Sequence, residues 1–175
     1  MQKSNFLDII LWKTETNIQK GDIVKYLSIL ALSIMPLWAG NLEITSDDFL
    51  YKDGDNKAKF IGHVVATQSK NVIHSDTLIV FLDNNNEADK YKAIKNVYFE
   101  IVNAKKDING TCNTLSYFPK EDKYVLVGNV VINDRKNNRK VYGDKITINN
   151  KKGTSYAGSN GKKPVKFIFK VKSHK

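Results

Sequence analysis

This 175-residue chain has one cysteine, three prolines and, among its 28 basic residues, only two arginines. Cys112 alone cannot form an internal disulfide, and a single cysteine rules out Cys₄, Cys₂His₂ and Cys-x-x-Cys centres. His63, His74 and His174 lack metal-ligand spacing, and the chain has no Ser/His/Asp arrangement, phosphate loop or dinucleotide fingerprint. Catalysis, a metal and a cofactor are therefore not expected. The formal net charge is +10, yet the shortage of arginine argues against nucleic acid as the main partner, because bidentate recognition of phosphates and bases favours Arg over Lys. A lysine excess accompanied by 19 asparagines also has a plainer reading as compositional bias. With 41% hydrophobic and 26% charged residues, the chain reads as one globular domain.

The first forty residues differ from the rest. Lys25-Tyr26 leads into the uncharged run Leu27–Gly40, which ends in small residues. This is the layout of a secretory signal peptide, and the run is short for a span that needs about 20 apolar residues. The expected division is residues 1–39 as an N-terminal extension and signal peptide, with cleavage near Ala39, and residues 40–175 as a single domain. Signal peptides usually begin close to their basic region, so translation starting near Val24 gives a more compact signal. The alternative is an uncleaved single anchor. Removing residues 1–39 takes away four lysines and three acids, which leaves the domain at +9.

From Leu42 onward the apolar residues follow period two, as strands do. Ala58, Phe60, Gly62, Val64 and Ala66 form one such series, and Leu78, Val80 and Leu82 another. The pattern returns at Val97, Phe99 and Ile101, at Tyr124, Leu126, Gly128, Val130 and Ile132, at Tyr142, Ile146 and Ile148, and at Val165, Phe167, Phe169 and Val171. Turn-forming clusters lie between the runs, at Asp53–Asn56, Asp83–Asn86, Asn109-Gly110, Asn137-Asn138 and Asn149–Gly153. Many short strands without a convincing helix predict an all-β sandwich, barrel or jellyroll. The chain also repeats itself. Phe60–Ala66 matches Leu126–Ile132, and Ser75–Val80 matches Gly143–Ile148, with weaker copies near Ile94–Val97 and Cys112–Leu115. The unit is a strand pair of about 30–37 residues, and a stack of such units leaves unpaired strands at both ends.

Asp47, Asp76 and Asp144 recur at equivalent repeat positions, which argues for local hydrogen bonding rather than paired acid–base carboxylates. Asp107–Thr111 contains an Asn-x-Thr acceptor at Asn109 in a predicted turn, a candidate glycosylation site.

Several stretches resemble the OstA-like domain of the LptA family, periplasmic proteins that carry lipopolysaccharide between the two membranes of Gram-negative bacteria. They are Leu42–Asp47, the Gly62-His63-Val64 and Gly128-Asn129-Val130 turns, Tyr142–Thr147 and Asn160–Val165, and the resemblance spans about residues 42–171. It implies a twisted, slightly open antiparallel β-jellyroll built from repeated strand pairs, whose apolar interior takes the acyl chains of lipid A. The implied lipid-binding side chains are Leu42, Ile44, Phe60, Val64, Leu78, Val80, Val97, Phe99, Ile101, Leu115, Tyr117, Leu126, Val130, Ile146 and Ile148. It further implies head-to-tail assembly through an edge with Leu42 and Ile44 and another with Phe167 and Phe169. The implied partners are lipopolysaccharide, an LptC-like inner-membrane protein, an LptD-like outer-membrane protein and further copies of the chain. Lys57, Lys59, Lys95 and Lys145 are candidate rim contacts for lipid A phosphates. The alternatives are an LptC-like protein held by an uncleaved anchor, and a basic nucleic-acid-binding β-barrel.

Overall fold

The period-two runs form ten strands in a computed structural model that describes residues 41–52, 54–104, 106–161 and 163–170. The expected signal segment over residues 1–39 lies outside the described residues. In chain order the strands are β1 (Leu42–Thr45), β2 (Asp48–Tyr51), β3 (Lys57–Gln68), β4 (Asn71–Leu82), β5 (Ala88–Val102), β6 (Asp107–Phe118), β7 (Lys123–Asp134), β8 (Arg139–Asn149), β9 (Thr154–Gly158) and β10 (Lys166–Phe169). All pairings are antiparallel. The path runs β1-β3-β4-β5-β6-β7-β8-β10, with β2 also on β3 and β9 also on β8. The sheet is open, and the only helical element among the described residues is a single 3₁₀ turn, Pro119–Glu121. The architecture is the slightly open antiparallel β-jellyroll that the family resemblance implies.

What folds this sheet over is a line of β-bulges. Gly62-His63 in β3, Lys95-Asn96 in β5 and Gly128-Asn129 in β7 each set two residues against one in the next strand, namely Asp76, Asn113 and Asp144. All six bulge residues have positive φ, between 43° and 81°. A bulge bends its strand and strengthens the local twist. Because the three recur every 33 residues, the bends line up and divide each long strand into two halves. The halves of the sheet then face each other as two layers. Layer one ends in the β3–β4, β5–β6 and β7–β8 turns, and layer two in the β4–β5, β6–β7 and β8–β9 connections.

Three expectations are corrected. Gly62-His63-Val64 and Gly128-Asn129-Val130, read as turns, lie in mid-strand. The bulges also shift the phase of the strands opposite: in β8 it is Val141, not Tyr142, that packs on the core with Ile146 and Ile148. Asn109-Gly110, read as a turn, lies inside β6, where Asn109 pairs with Glu100 and Asn133. Glycine is needed there for space, since a Cβ on Gly110 would sit 2.6 Å from Phe99 Cζ. The candidate glycosylation residue Asn109 is therefore a half-buried central-strand residue.

Polar side chains follow the bend. Asp47 N donates to Gly62 O at 3.0 Å, and His63 Nδ1 lies 2.7 Å from Asp47 Oδ2. Asn96 Nδ2 donates to both oxygens of Asp76 at 3.1 Å, and Asn160 N donates to Asp144 Oδ2 at 2.9 Å. The repeating aspartates thus hold bulges and chain crossings, as their periodicity indicates.

Candidate functional site

Between the two layers lies an apolar cavity of about 310 Å³. Its walls come from both halves of the same strands: Ile73 and Leu78 of β4, and Ala93 and Ile101 of β5, lie on opposite sides of the bulge line yet line one space. Leu42 and Ala66 close one side, and Leu115, Tyr117 and Tyr124 another. Tyr91 and Tyr117 stack with centroids 6.3 Å apart, and Tyr117 and Tyr124 at 4.5 Å. Burial pushes the Tyr91 phenol up to about 12 and the Tyr124 phenol up as well, so both are neutral at ordinary pH. The wall is mainly apolar, with Glu87, Glu100 and Lys120 as its charged members. Among the described residues, no group of three or more His, Cys, Asp or Glu could hold a metal ion.

The space is open-sided rather than a sealed void, so a slender hydrocarbon chain can lie along it. The tips of the two layers carry a tie. Lys106 Nζ, in the β5–β6 turn of layer one, donates to Asn150 Oδ1 at 2.8 Å in the β8–β9 turn of layer two. Asn150 Nδ2 in turn donates to Asp122 Oδ1 at 3.0 Å. On the cavity side, Lys120 is held in layer two by Asp83, at 2.6 Å, and Asp89, at 3.6 Å.

The fifteen interior candidates divide into two groups. Leu42, Leu78, Ile101, Leu115 and Tyr117 line the cavity. Val64, Val80, Val97, Phe99, Leu126, Val130 and Ile146 are buried core, and Ile44, Phe60 and Ile148 pack against it. Phe99 in particular is only 3% exposed. Sequence reasoning left out Ile73, Ala88, Tyr91 and Ala93. The signal for Tyr91 and Ala93 is their alternation with Lys90 and Lys92, which extends the Val97–Ile101 series backwards across a bulge. None of Lys57, Lys59, Lys95 and Lys145 lines the cavity; the lysine there is Lys120. Cys112 is buried in the core, and burial pushes its thiol up to about 12.

The two ends of the sheet are built alike. β1 and β2 together cover β3, and β9 and β10 together cover β8. Leu42, Phe49 and Leu50 are exposed at the first end, and Tyr156, Phe167, Ile168 and Phe169 at the other. The assembly candidates Leu42 and Phe167-Phe169 therefore lie on exposed strands at opposite ends, while Ile44 turns towards the core.

A family model described as "LptA/(LptD N-terminal domain) LPS transport protein" matches residues 43–154. Among solved structures, the chain is similar to LptH from Pseudomonas aeruginosa, described as the LptA homologous periplasmic component of the conserved lipopolysaccharide transport device. The TM-score is 0.65 at 18% identity, covering 75% of this chain and 96% of that one. No curated protein sequence matches.

Proposed function

The chain belongs to the LptA/(LptD N-terminal domain) LPS transport protein family, and from that membership we propose that it is a non-enzymatic periplasmic carrier that shields lipid A acyl chains between its two layers. The observation that carries this reading is the apolar cavity walled by both halves of the strands. Exposing an acyl chain to water costs about 0.8 kcal/mol per CH₂, so a multi-chain lipid needs cover to cross an aqueous compartment. The cavity walls supply that cover through many weak contacts, from which a guest can also leave. Export through the segment at residues 1–39 belongs to the same proposal, as does bridging. Exposed apolar strands at both ends support head-to-tail stacking of copies between an LptC-like inner-membrane protein and an LptD-like outer-membrane protein.

The test is photo-crosslinking in living cells with the probe at Tyr91, Ile101 or Leu115, and at Leu126 as a sealed-core control. Capture of lipopolysaccharide from the first three and not from Leu126 is expected. No capture from any cavity position of a folded, exported protein defeats the proposal. N-terminal sequencing of the mature protein separates the soluble carrier, starting near Gly40, from an anchored LptC-like form that retains Leu27–Ala39.

A further inference from the structure

The 33-residue repeat that places the bulges also places lysine. Lys57, Lys90 and Lys123 stand five residues before Gly62, Lys95 and Gly128, and Lys59 and Lys92 stand three before the first two. The strand register puts these on shared rungs. Lys57, Phe81 and Lys90 are successive partners across β3 to β5, Phe118 and Lys123 continue the rung one step beyond the Tyr91–Tyr117 pair, and Lys59, Ile79, Lys92, Ser116 and Val125 form the next rung. Their neighbours in sequence, Ala58, Val80, Tyr91, Tyr117 and Tyr124, face the interior, so both rungs lie on the outer face of layer two. A third rung adds Lys145 of β8.

From β3 to β9 these three rungs contain six lysines and no Asp or Glu; the bordering acids are Asp48, opposite Ile61 on the edge strand β2, and Asp76 and Asp144 on the bulge line. Lys57 and Lys123 have partners at the layer tip, Asp55 and Glu121. Among the described residues, no carboxylate pairs with Lys59, Lys90, Lys92 or Lys145. The outer face of layer one differs: there Lys140 shares its rung with Glu43 and Glu100, and Lys166 stands on the neighbouring rung. Compositional bias alone would raise lysine on both faces and would not clear acids from one.

The geometry also indicates which kind of anion suits this face. With strands about 4.8 Å apart and side chains of one face about 7 Å apart along a strand, cations on alternate strands form a grid of roughly 10 by 7 Å. That is a sheet of point charges rather than a groove. Apolar side chains fill the spaces between them, with Val127 and Tyr156 exposed. The Lys90 ammonium lies 5.1 Å from the Phe81 ring centre and 5.4 Å from that of Phe118, and Lys123 lies 4.6 Å from Phe118. These rings are engaged by cations of their own sheet, whereas single-stranded nucleic acid needs aromatic faces for stacking bases. A broad cationic face with apolar side chains between the charges instead fits the headgroup region of an anionic bilayer, where each lysine near the surface contributes attraction.

We propose that the outer face of layer two docks on the surface of an anionic phospholipid bilayer through Lys59, Lys90, Lys92 and Lys145. The docking is separate from the interior cavity and does not rest on the carrier reading.

The test is co-sedimentation of the full chain with phosphatidylcholine vesicles, with and without 30% phosphatidylglycerol and free of lipopolysaccharide. Three proteins are compared: the wild type, the layer-two variant K59Q/K92Q/K145Q, and the layer-one variant K70Q/K140Q/K166Q, which loses the same charge. All three carry the same N-terminal segment, so any contribution from it cancels. The wild type and the layer-one variant are expected to bind the anionic vesicles and to release in high salt. The layer-two variant is expected to bind roughly a hundredfold more weakly, with an unchanged circular dichroism spectrum. Equal weakening of both variants, wild-type binding indifferent to phosphatidylglycerol, or binding of single-stranded DNA in place of vesicles overturns the proposal.

Discussion

Lys106 and Asn150 join the tips of the two layers through a single hydrogen bond of 2.8 Å between side chains 44 residues apart in sequence. The apolar cavity lies between the same two layers, so the strength of this tie bears on how readily the interior widens.

Replacing Lys106 by Met keeps most of the stem and removes the charged donor. Stability should fall by about 1 kcal/mol, because the bond is only half-buried. Hydrogen exchange followed by mass spectrometry should show faster exchange in segments 106–108 and 149–152, with the β3–β4 hairpin unchanged. Unaltered exchange in both segments means the bond does not hold the tips together.

Core and cavity-wall residues should respond differently to truncation. Leu126 is 2% exposed in the core, so Leu126→Ala should cost about 2–5 kcal/mol in urea unfolding. Leu42 is 38% exposed and borders the cavity. Leu42→Ala should therefore cost less than about 1 kcal/mol while reducing lipopolysaccharide capture. The reverse order of stabilities would show that the cavity wall has been assigned to the wrong residues.

The Asp47 carboxylate, by its hydrogen bond and its charge, raises the His63 imidazole above its ordinary 6.5. A raised value in the folded state means that the His63⁺–Asp47⁻ contribution is fully present below about pH 6.5 and is lost as pH rises through the folded value. Both groups are exposed, so the effect on global stability should be small. The direct measurement is the NMR titration of His63, whose midpoint should lie above 6.5 and drop in Asp47→Asn. An identical midpoint in the variant means that the contact does not persist in solution.

Gly128 has φ of +81°, and a Cβ there would lie 2.6 Å from Asn113 Nδ2. Gly128→Ala should cost about 1–3 kcal/mol, combining left-handed strain with the displacement of Asn113. Gly54, at +84° with open space around it, isolates the strain alone, and Gly54→Ala should cost only about 1 kcal/mol. Equal losses in chemical denaturation would mean that the contact with Asn113 contributes nothing.

The strands and the repeat are legible in the sequence because burial on one face imposes period two, as in Tyr124, Leu126, Val130 and Ile132. The bulges are not, because an extra residue is felt through the strand opposite. Gly62-His63 leaves the alternation of β3 intact from Phe60 to Val64 but reverses the phase of β4 between Leu78 and Ser75. For the same reason Tyr142 lies on the face opposite to the one that its even spacing from Ile146 and Ile148 indicates. Asn109-Gly110 carries turn chemistry, but the glycine there serves to make room for the Phe99 ring. The division of the interior into sealed core and cavity depends on how the half-strands meet across the bend, a distance that residues such as Val97 and Ile101 do not encode locally.

Every long strand belongs to both layers, so the line of bulges acts as the spine of a book whose covers are cut from the same pages. The interior cannot widen by moving one layer as a rigid plate on a flexible linker. Widening must be shared among the bends of successive strands, each coupled to the next by ladder hydrogen bonds. The width of the interior is thus a collective property of the sheet, and a strain applied at either end strand reaches it through the backbone.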